Sequence, residues 1–189
     1  MSKSAQATRA EAIESLLIEK GLLTEDAVDG ILARFNDRVG PLNGARVVAR
    51  AWTDPAFRRA LLEEGTSAIE PFNFEGDEVD KLVVVENTEQ VHNVVVCTLC
   101  SCYPWAMLGL PPAWYKSPAY RSRVVETPRA VLGEFGLELP PGTEVRVWDS
   151  SAEIRYLVLP MRPVGSEDLE EDALASLVTR DSMIGVQRL

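Results

Sequence analysis

Val94-Val95-Val96-Cys97-Thr98-Leu99-Cys100-Ser101-Cys102 runs from an apolar stretch into three thiols within six residues, and the chain has no other cysteine. The short β-branched run reads as a buried strand. Thiols clustered this tightly cannot form a disulfide framework. Cys-x-x-Cys-x-Cys also fits zinc poorly, because tetrahedral sites usually take ligand pairs from separate loops or helices. Cys100 and Cys102 flank one residue, so both sulfurs and the peptide nitrogens of Ser101 and Cys102 can face a single metal. With those amides deprotonated, small chelate rings close in one plane and Cys97 reaches an axial position. The claw then offers two nitrogens and three sulfurs, with one site open. Such strong donors favour a low-spin trivalent ion, cobalt or iron, over zinc.

Outward from the thiols, Leu82-Val83-Val84-Val85 is a second buried strand, joined to the first through the turn-prone Asn87-Thr88. Thr127-Pro128 predicts a capped helix through Val131, Leu132 and Phe135 to Gly136. Val145, Val147, Ile154, Tyr156 and Val158 predict a hairpin turning at Ser150-Ser151, and Leu169, Ala173, Leu174 and Leu177 a last helix.

The first third reads as helical. Ile13, Leu16 and Leu17 lead to a glycine stop at Gly21. Thr24 caps a helix with Glu25 and Asp26 in its first turn and Ala27, Val28, Ile31, Leu32 and Phe35 as its stripe, ended by Gly40-Pro41. Val47, Val48, Ala51 and Trp52 repeat the helical period, and Asp54-Pro55 opens a helix closed by Gly65. Strands and helices fall in separate groups, so the class is α+β. The short N-terminal helices, residues 1–42, either pack on the same domain or form a helical N-terminal arm for a partner chain, and a mixed α/β layered metal-binding domain, residues 43–189, follows.

At 189 residues the chain can bury a sizeable core, and its net charge of −10 argues against nucleic acid. Met1-Ser2-Lys3-Ser4-Ala5-Gln6 lacks the apolar region of a secretory signal. Gln90 to Tyr115 carries no formal charge, yet Pro104, Pro111, Pro112 and the thiols argue against a membrane span. Unpaired thiols fit a reducing cytoplasm.

Val96-Cys97-Thr98-Leu99-Cys100-Ser101-Cys102-Tyr103-Pro104-Trp105 closely resembles the metal-binding loop of the nitrile hydratase alpha subunit. Ala51-Trp52-Thr53-Asp54-Pro55, Gly109 to Lys116, Tyr120 to Val125, Val147 to Tyr156 and Leu177 to Gly185 resemble that family too, so the likeness spans nearly the whole chain. It implies a lyase that hydrates nitriles to amides, with Cys97, Cys100, Ser101 and Cys102 as metal ligands. It also implies that Cys100 is a sulfinic and Cys102 a sulfenic acid, both catalytic, while Cys97 stays a thiolate. Thr98 and Tyr103 resemble the cobalt-type loop, so the implied cofactor is non-corrin cobalt(III), with iron(III) as the alternative. The implied partners are a beta subunit, giving αβ and then α2β2, on which the arm packs, a metallochaperone or activator during maturation, and a small nitrile. Thr98, Trp105, Asp149, Glu153 and Arg155 are implied as residues supporting the metal loop. Glu75-Gly76-Asp77-Glu78 and Ala106 depart from the family's usual Gln-Gly-Glu-Asp and proline.

Taken residue by residue, several of these positions also have plainer readings. Glu153 and Arg155 share a strand face and can pair, although such charges are usually a solvated face. Thr98 and Ser101 read either as small residues of a tight loop or as hydroxyls that bond sulfur-bound oxygens. Trp114 reads as a core aromatic, whereas the resemblance sets Trp105 beside the substrate. His92 lies an odd five residues before Cys97, on the opposite strand face, and reads as a structural histidine rather than a zinc ligand. It is the only histidine, so Ser182 and Asp181 cannot form a hydrolase triad. Two rival functions remain: a thiocyanate hydrolase gamma subunit, which shares the claw, and a zinc-stabilised interaction domain.

Overall fold

The computed structural model describes residues 5–37, 40–74 and 81–189. Glu75 to Glu78 therefore lie outside the described residues. Two compact units divide the chain, Met1–Asp37 and Arg38–Leu189.

The first unit holds α1 (Ala5–Glu19) and α2 (Glu25–Asp37). Gly21 takes a positive φ of 67° just after α1, as the expected stop requires. The Thr24 hydroxyl accepts the Ala27 N–H at 3.2 Å, which opens α2. Ile13, Leu16, Leu22 and Ile31 are exposed.

The second unit is built on parallel strand pairs. β1 (Lys81–Glu86) lies beside β4 (Ile154–Leu159), with Leu82 opposite Arg155. β2 (Val91–Val96) lies beside β3 (Glu144–Asp149), with Val96 opposite Asp149. The expected hairpin is thereby corrected. The chain does turn at Ser151, whose N–H bonds Ile154 O at 2.9 Å, but β3 and β4 pair with β2 and β1 rather than with each other. Alternation identified these strands without specifying their partners. The parallel arrangement matters for the site, because it brings the C-terminal ends of β2 and β3 to the same edge.

Helices surround the strands: α3 (Pro41–Thr53), α4 (Pro55–Glu63), α5 (Gly65–Ile69), α6 (Trp105–Leu108), α7 (Pro118–Glu126), α8 (Pro128–Glu134), α9 (Glu171–Leu177) and α10 (Arg180–Ile184). Proline stands in the first turn of α3, α4, α7 and α8, where its missing N–H costs nothing. Asp54 caps α4 by accepting the Ala56 and Phe57 N–H groups. Thr127 makes no side-chain cap on α8; its hydroxyl donates to Arg123 O instead. Gly65 opens α5 rather than merely closing α4, and α10 follows the helix expected to be last. Val47, Val48, Leu61, Val94, Val96, Leu132, Leu157, Leu174 and Met183 are fully buried between these layers. Gly185, at a φ of 92°, lets α10 end against β2: a Cβ there would lie 2.0 Å from Asn93 O. The α+β architecture expected from the sequence is the one found.

Candidate metal centre

β2 ends at Val96, and the next residues leave the sheet as an irregular loop through Pro104. That loop brings the three sulfurs within 4.8 Å of one another. Cys97 Sγ lies 3.5 Å from Cys100 Sγ, which lies 3.2 Å from Cys102 Sγ. Burial grades along the loop: Cys97 is buried, Cys102 half-buried and Cys100 exposed.

Electrostatics separates the three thiols. Bonding from the Cys102 thiol, then from the Ser101 N–H and the Cys97 thiol, pulls Cys100 down to about 7. Burial, followed by the neighbouring Cys100 and Cys97, pushes Cys102 up to about 12, partly offset by the Arg155 charge. The Cys100 N–H also donates to Cys97 Sγ at 3.2 Å.

The supporting residues behave unequally. Asp149 ends β3 opposite Val96, and one of its carboxylate oxygens takes the Thr98 N–H at 2.9 Å while the other takes the Thr98 hydroxyl at 2.6 Å. The Thr98 hydroxyl is thus bonded to Asp149. Arg155 acts electrostatically on Cys102, and its Nη1 is buried without a hydrogen-bond partner. A buried guanidinium nitrogen in that state awaits an acceptor. Glu153 is exposed and takes the Ser151 hydroxyl at 2.9 Å, with Arg155 only a minor influence on its lowered pKa. It stands by the Ser151 turn rather than on the thiols. Trp105 opens α6 half-buried against the core, and Ser101 sits half-buried between the two outer cysteines.

His92 is a structural histidine. It is fully buried, donates from Nε2 to Gly185 O at 2.7 Å, and accepts from the Asn87 amide at Nδ1, 3.3 Å away. Its pKa is lowered, first by burial. It is no member of the thiol cluster.

Some residues that hold the loop carried no distinguishing sequence signal. Tyr115, fully buried, donates its hydroxyl to Cys102 O at 2.9 Å. Tyr120 donates to Val95 O at 2.7 Å, and Arg121 Nη1 to Leu99 O at 2.9 Å. Asn43 Nδ2 holds Ala106 O at 2.8 Å, so α6 is tied to α3 at the position where proline is usual. Aromatic residues are common in cores. Only the contact of their hydroxyls with strand and loop carbonyls reveals this use. Trp114 packs edge-on against Tyr115, Tyr120 and Phe135, as a core aromatic should.

The donor set suits a thiophilic transition metal: three convergent sulfurs, intervening peptide nitrogens and a buried cationic nitrogen beside them. Residues 4–187 match the family described as nitrile hydratase, alpha chain. The low-molecular weight cobalt-containing nitrile hydratase subunit alpha of Rhodococcus rhodochrous is 56% identical over 180 residues, covering 95% of this chain and 87% of that one. Thiocyanate hydrolase subunit gamma of Thiobacillus thioparus is 43% identical over 187 residues, covering 93% of this chain and 76% of that one. Among solved structures, a double mutant of the Fe-type nitrile hydratase from Comamonas testosteroni Ni1 matches with a TM-score of 0.88 at 44% identity, covering 100% of this chain and 92% of that one.

Proposed function

The chain belongs to the nitrile hydratase alpha-chain family, and we propose that its thiol loop holds a low-spin, non-corrin cobalt(III) through Cys97, Cys100, Cys102 and the backbone nitrogens of Ser101 and Cys102. It is the alpha subunit of an enzyme that hydrates nitriles to amides and works with a beta subunit. The observation that carries the site is the convergence of three sulfurs at the end of β2 beside a buried, unpartnered Arg155 nitrogen. Cobalt rather than iron is supported by the cobalt-containing Rhodococcus rhodochrous relative and by Thr98 and Tyr103 in the loop.

When bound, the metal supplies Lewis acidity that polarises a nitrile or a water. The protein's part is to hold and tune the ligands. Cys100 and Cys102 are open to oxidants, and we assign them the sulfinic and sulfenic states; Cys97, fully buried, stays a thiolate. The oxygens so added are anionic, and Arg155 Nη1 is the cationic donor this chain can offer them. Asp149 fixes Thr98 and thereby the first turn of the loop. Trp105, three residues past Cys102, is the apolar wall for a small nitrile. Glu153 has a lesser role at the turn that delivers Arg155.

The exposed apolar side chains of α1 and α2 support an arm, residues 1–42, that packs on the beta subunit, within an αβ unit paired into α2β2. Loading of cobalt by an activator protein belongs to the same reading. No helix among the described residues is long and apolar enough to cross a membrane, and we place the enzyme in the cytoplasm.

The test is elemental analysis of the αβ complex with intact-mass measurement. One cobalt per alpha chain is expected, with added oxygen on Cys100 and Cys102 and none on Cys97. Cys102→Ser should lower nitrile hydration by orders of magnitude even in complex that still assembles, because an alkoxide is a harder donor and cannot be oxidised likewise. Iron as the dominant metal at adequate cobalt supply would overturn the metal assignment. Unoxidised thiols in active enzyme would overturn the roles of Cys100 and Cys102. Assay on thiocyanate alongside nitriles separates this enzyme from the 43% identical hydrolase.

A further inference from the structure

Between Cys97 and Cys100 lie Thr98 and Leu99, and nothing apolar in the described residues of this chain holds them. Leu99 is 85% exposed, so packing cannot fix its backbone. The polar ties are therefore decisive. Asp149 takes both donors of Thr98, its N–H and its hydroxyl. The acceptors on the same stretch go to one side chain: Arg121 Nη1 donates to Leu99 O at 2.9 Å and reaches Thr98 O at 3.4 Å.

Arg121 comes from a rigid place. It lies in the first turn of α7, whose start is capped by Ser117 Oγ accepting the Tyr120 N–H at 3.2 Å. The adjacent Tyr120 bolts that turn to β2 through Val95 O. One end of α7 thus grips the strand that delivers the loop and, one residue further, the loop itself. The Arg121 Nε is buried without a partner, so the carbonyls of the loop are what hold this guanidinium.

We propose that Arg121 is a positioning residue for the metal claw, fixing the span from Cys97 to Cys100 by bridging the Thr98 and Leu99 carbonyls opposite Asp149. The inference rests on the metal-holding function assigned above. Without that bridge the Thr98–Leu99 peptide loses its tie and the Leu99–Cys100 peptide keeps only the Cys100 N–H bond to Cys97 Sγ, so the Cys97 and Cys100 sulfurs hold their common orientation less firmly. Any metal held there is then captured less often and in altered geometry. Arg121 touches neither sulfur nor substrate, so its effect acts through the ligands.

The experiment uses the full αβ complex expressed at limiting cobalt, comparing wild type with Arg121→Gln, Arg121→Lys and Arg123→Gln. Arg123 lies on the same helix but pairs with Glu134 on the surface, so it reports loss of helix stability alone. Cobalt per alpha chain, the visible sulfur-to-metal absorption, and kcat and KM are read for each. In Arg121→Gln, occupancy should fall on the order of tenfold, the size expected for losing a charged hydrogen bond. Its absorption should shift in the metal-bearing fraction, and kcat should fall at little-changed KM. Arg121→Lys, which keeps the charge but on a shorter side chain whose donors are not set in the guanidinium plane, should lie between, and Arg123→Gln should match wild type. Wild-type occupancy and spectrum in Arg121→Gln would overturn the proposal, as would equal losses in Arg123→Gln. If Arg121→Gln does not assemble, Arg121→Lys decides: reduced occupancy with a shifted band supports the proposal, and wild-type values overturn it. A wild-type complex with no stoichiometric metal would instead overturn the underlying function, a result distinct from all of these.

Discussion

Removing one oxygen from Tyr115 separates what the core does from what the claw needs. The phenol is fully buried and donates to Cys102 O at 2.9 Å, and burial keeps its pKa far above the ordinary range, so it is a donor at any working pH. Tyr115→Phe keeps the ring against Tyr103, 5.3 Å between centroids, and deletes only that bond. A neutral hydrogen bond contributes about 0.5–1.5 kcal/mol, and an acceptor left unmet costs about 1–3 kcal/mol. Cys102 is half-buried, so water recovers part of the loss, and about 1–2 kcal/mol is expected. In a chain of this length that lowers Tm by about 2–8 °C. If the freed carbonyl lets the last ligand swing, the same energy lowers kcat by roughly 5–30-fold. The comparison variant is Tyr103→Phe; Tyr103 follows Cys102 in the chain, but its hydroxyl donates to Leu108 O in α6 at 3.0 Å and not to a ligand's backbone. Thermal unfolding and steady-state hydration by the cobalt-loaded αβ complex measure both effects. Equal kcat losses in the two variants would refute the reasoning, because general softening would then explain them.

His92→Leu strips a donor from Gly185 O and an acceptor from Asn87, costing about 2–6 kcal/mol by denaturant midpoint. The pKa of His92 is lowered in the fold by burial, so the unfolded chain binds more protons. Its contribution is complete above the unfolded value of about 6.5 and declines as pH falls towards the lowered folded value. The variant should lose that slope; an unchanged slope below neutrality would contradict the assignment. Deleting residues 1–42 should abolish co-purification with the beta subunit, and a truncated chain that still forms fully active complex would rule out the arm.

What the sequence made legible is what local chemistry determines. Asp54-Pro55, Gly21 and Thr24 carry their own instructions, since a cap, a left-handed glycine and a first-turn proline act within a few residues. The thiol cluster was legible for the same reason: Cys97, Cys100 and Cys102 are close in space because they are close in chain. Strand partnership was not. Val145 and Val147 alternate equally well beside β4 or β2, and only the long crossover through residues 97–143 decides for the parallel pairing. Arg121 and Tyr115 escaped notice because their partners are backbone carbonyls at distant positions, which leave no mark on side-chain patterns. The bond between Thr98 and Asp149 was illegible for a related reason. Asp149 reaches Thr98 only because β2 and β3 end together, a consequence of the register and not of the motif.

The charges of the loop also say what this chain leaves to another. With the metal held as proposed, three thiolates and two amidates would exceed the charge of any trivalent ion, and the proposed oxidation of Cys100 and Cys102 would place anionic oxygens further out. Charges held away from water need opposite charges beside them. Within the chain, Arg155 offers one buried nitrogen near Cys102, while Arg121 is turned to carbonyls behind the loop. On the outer side Leu99 and Cys100 are exposed, and what lowers the Cys100 pKa is the Cys102 thiol, backbone N–H groups and the Cys97 thiol rather than a cation. A claw built this way is rigid behind and uncompensated in front. On the proposed function, a beta subunit docked at this face would close it against water and supply positive charge to the oxidised sulfurs.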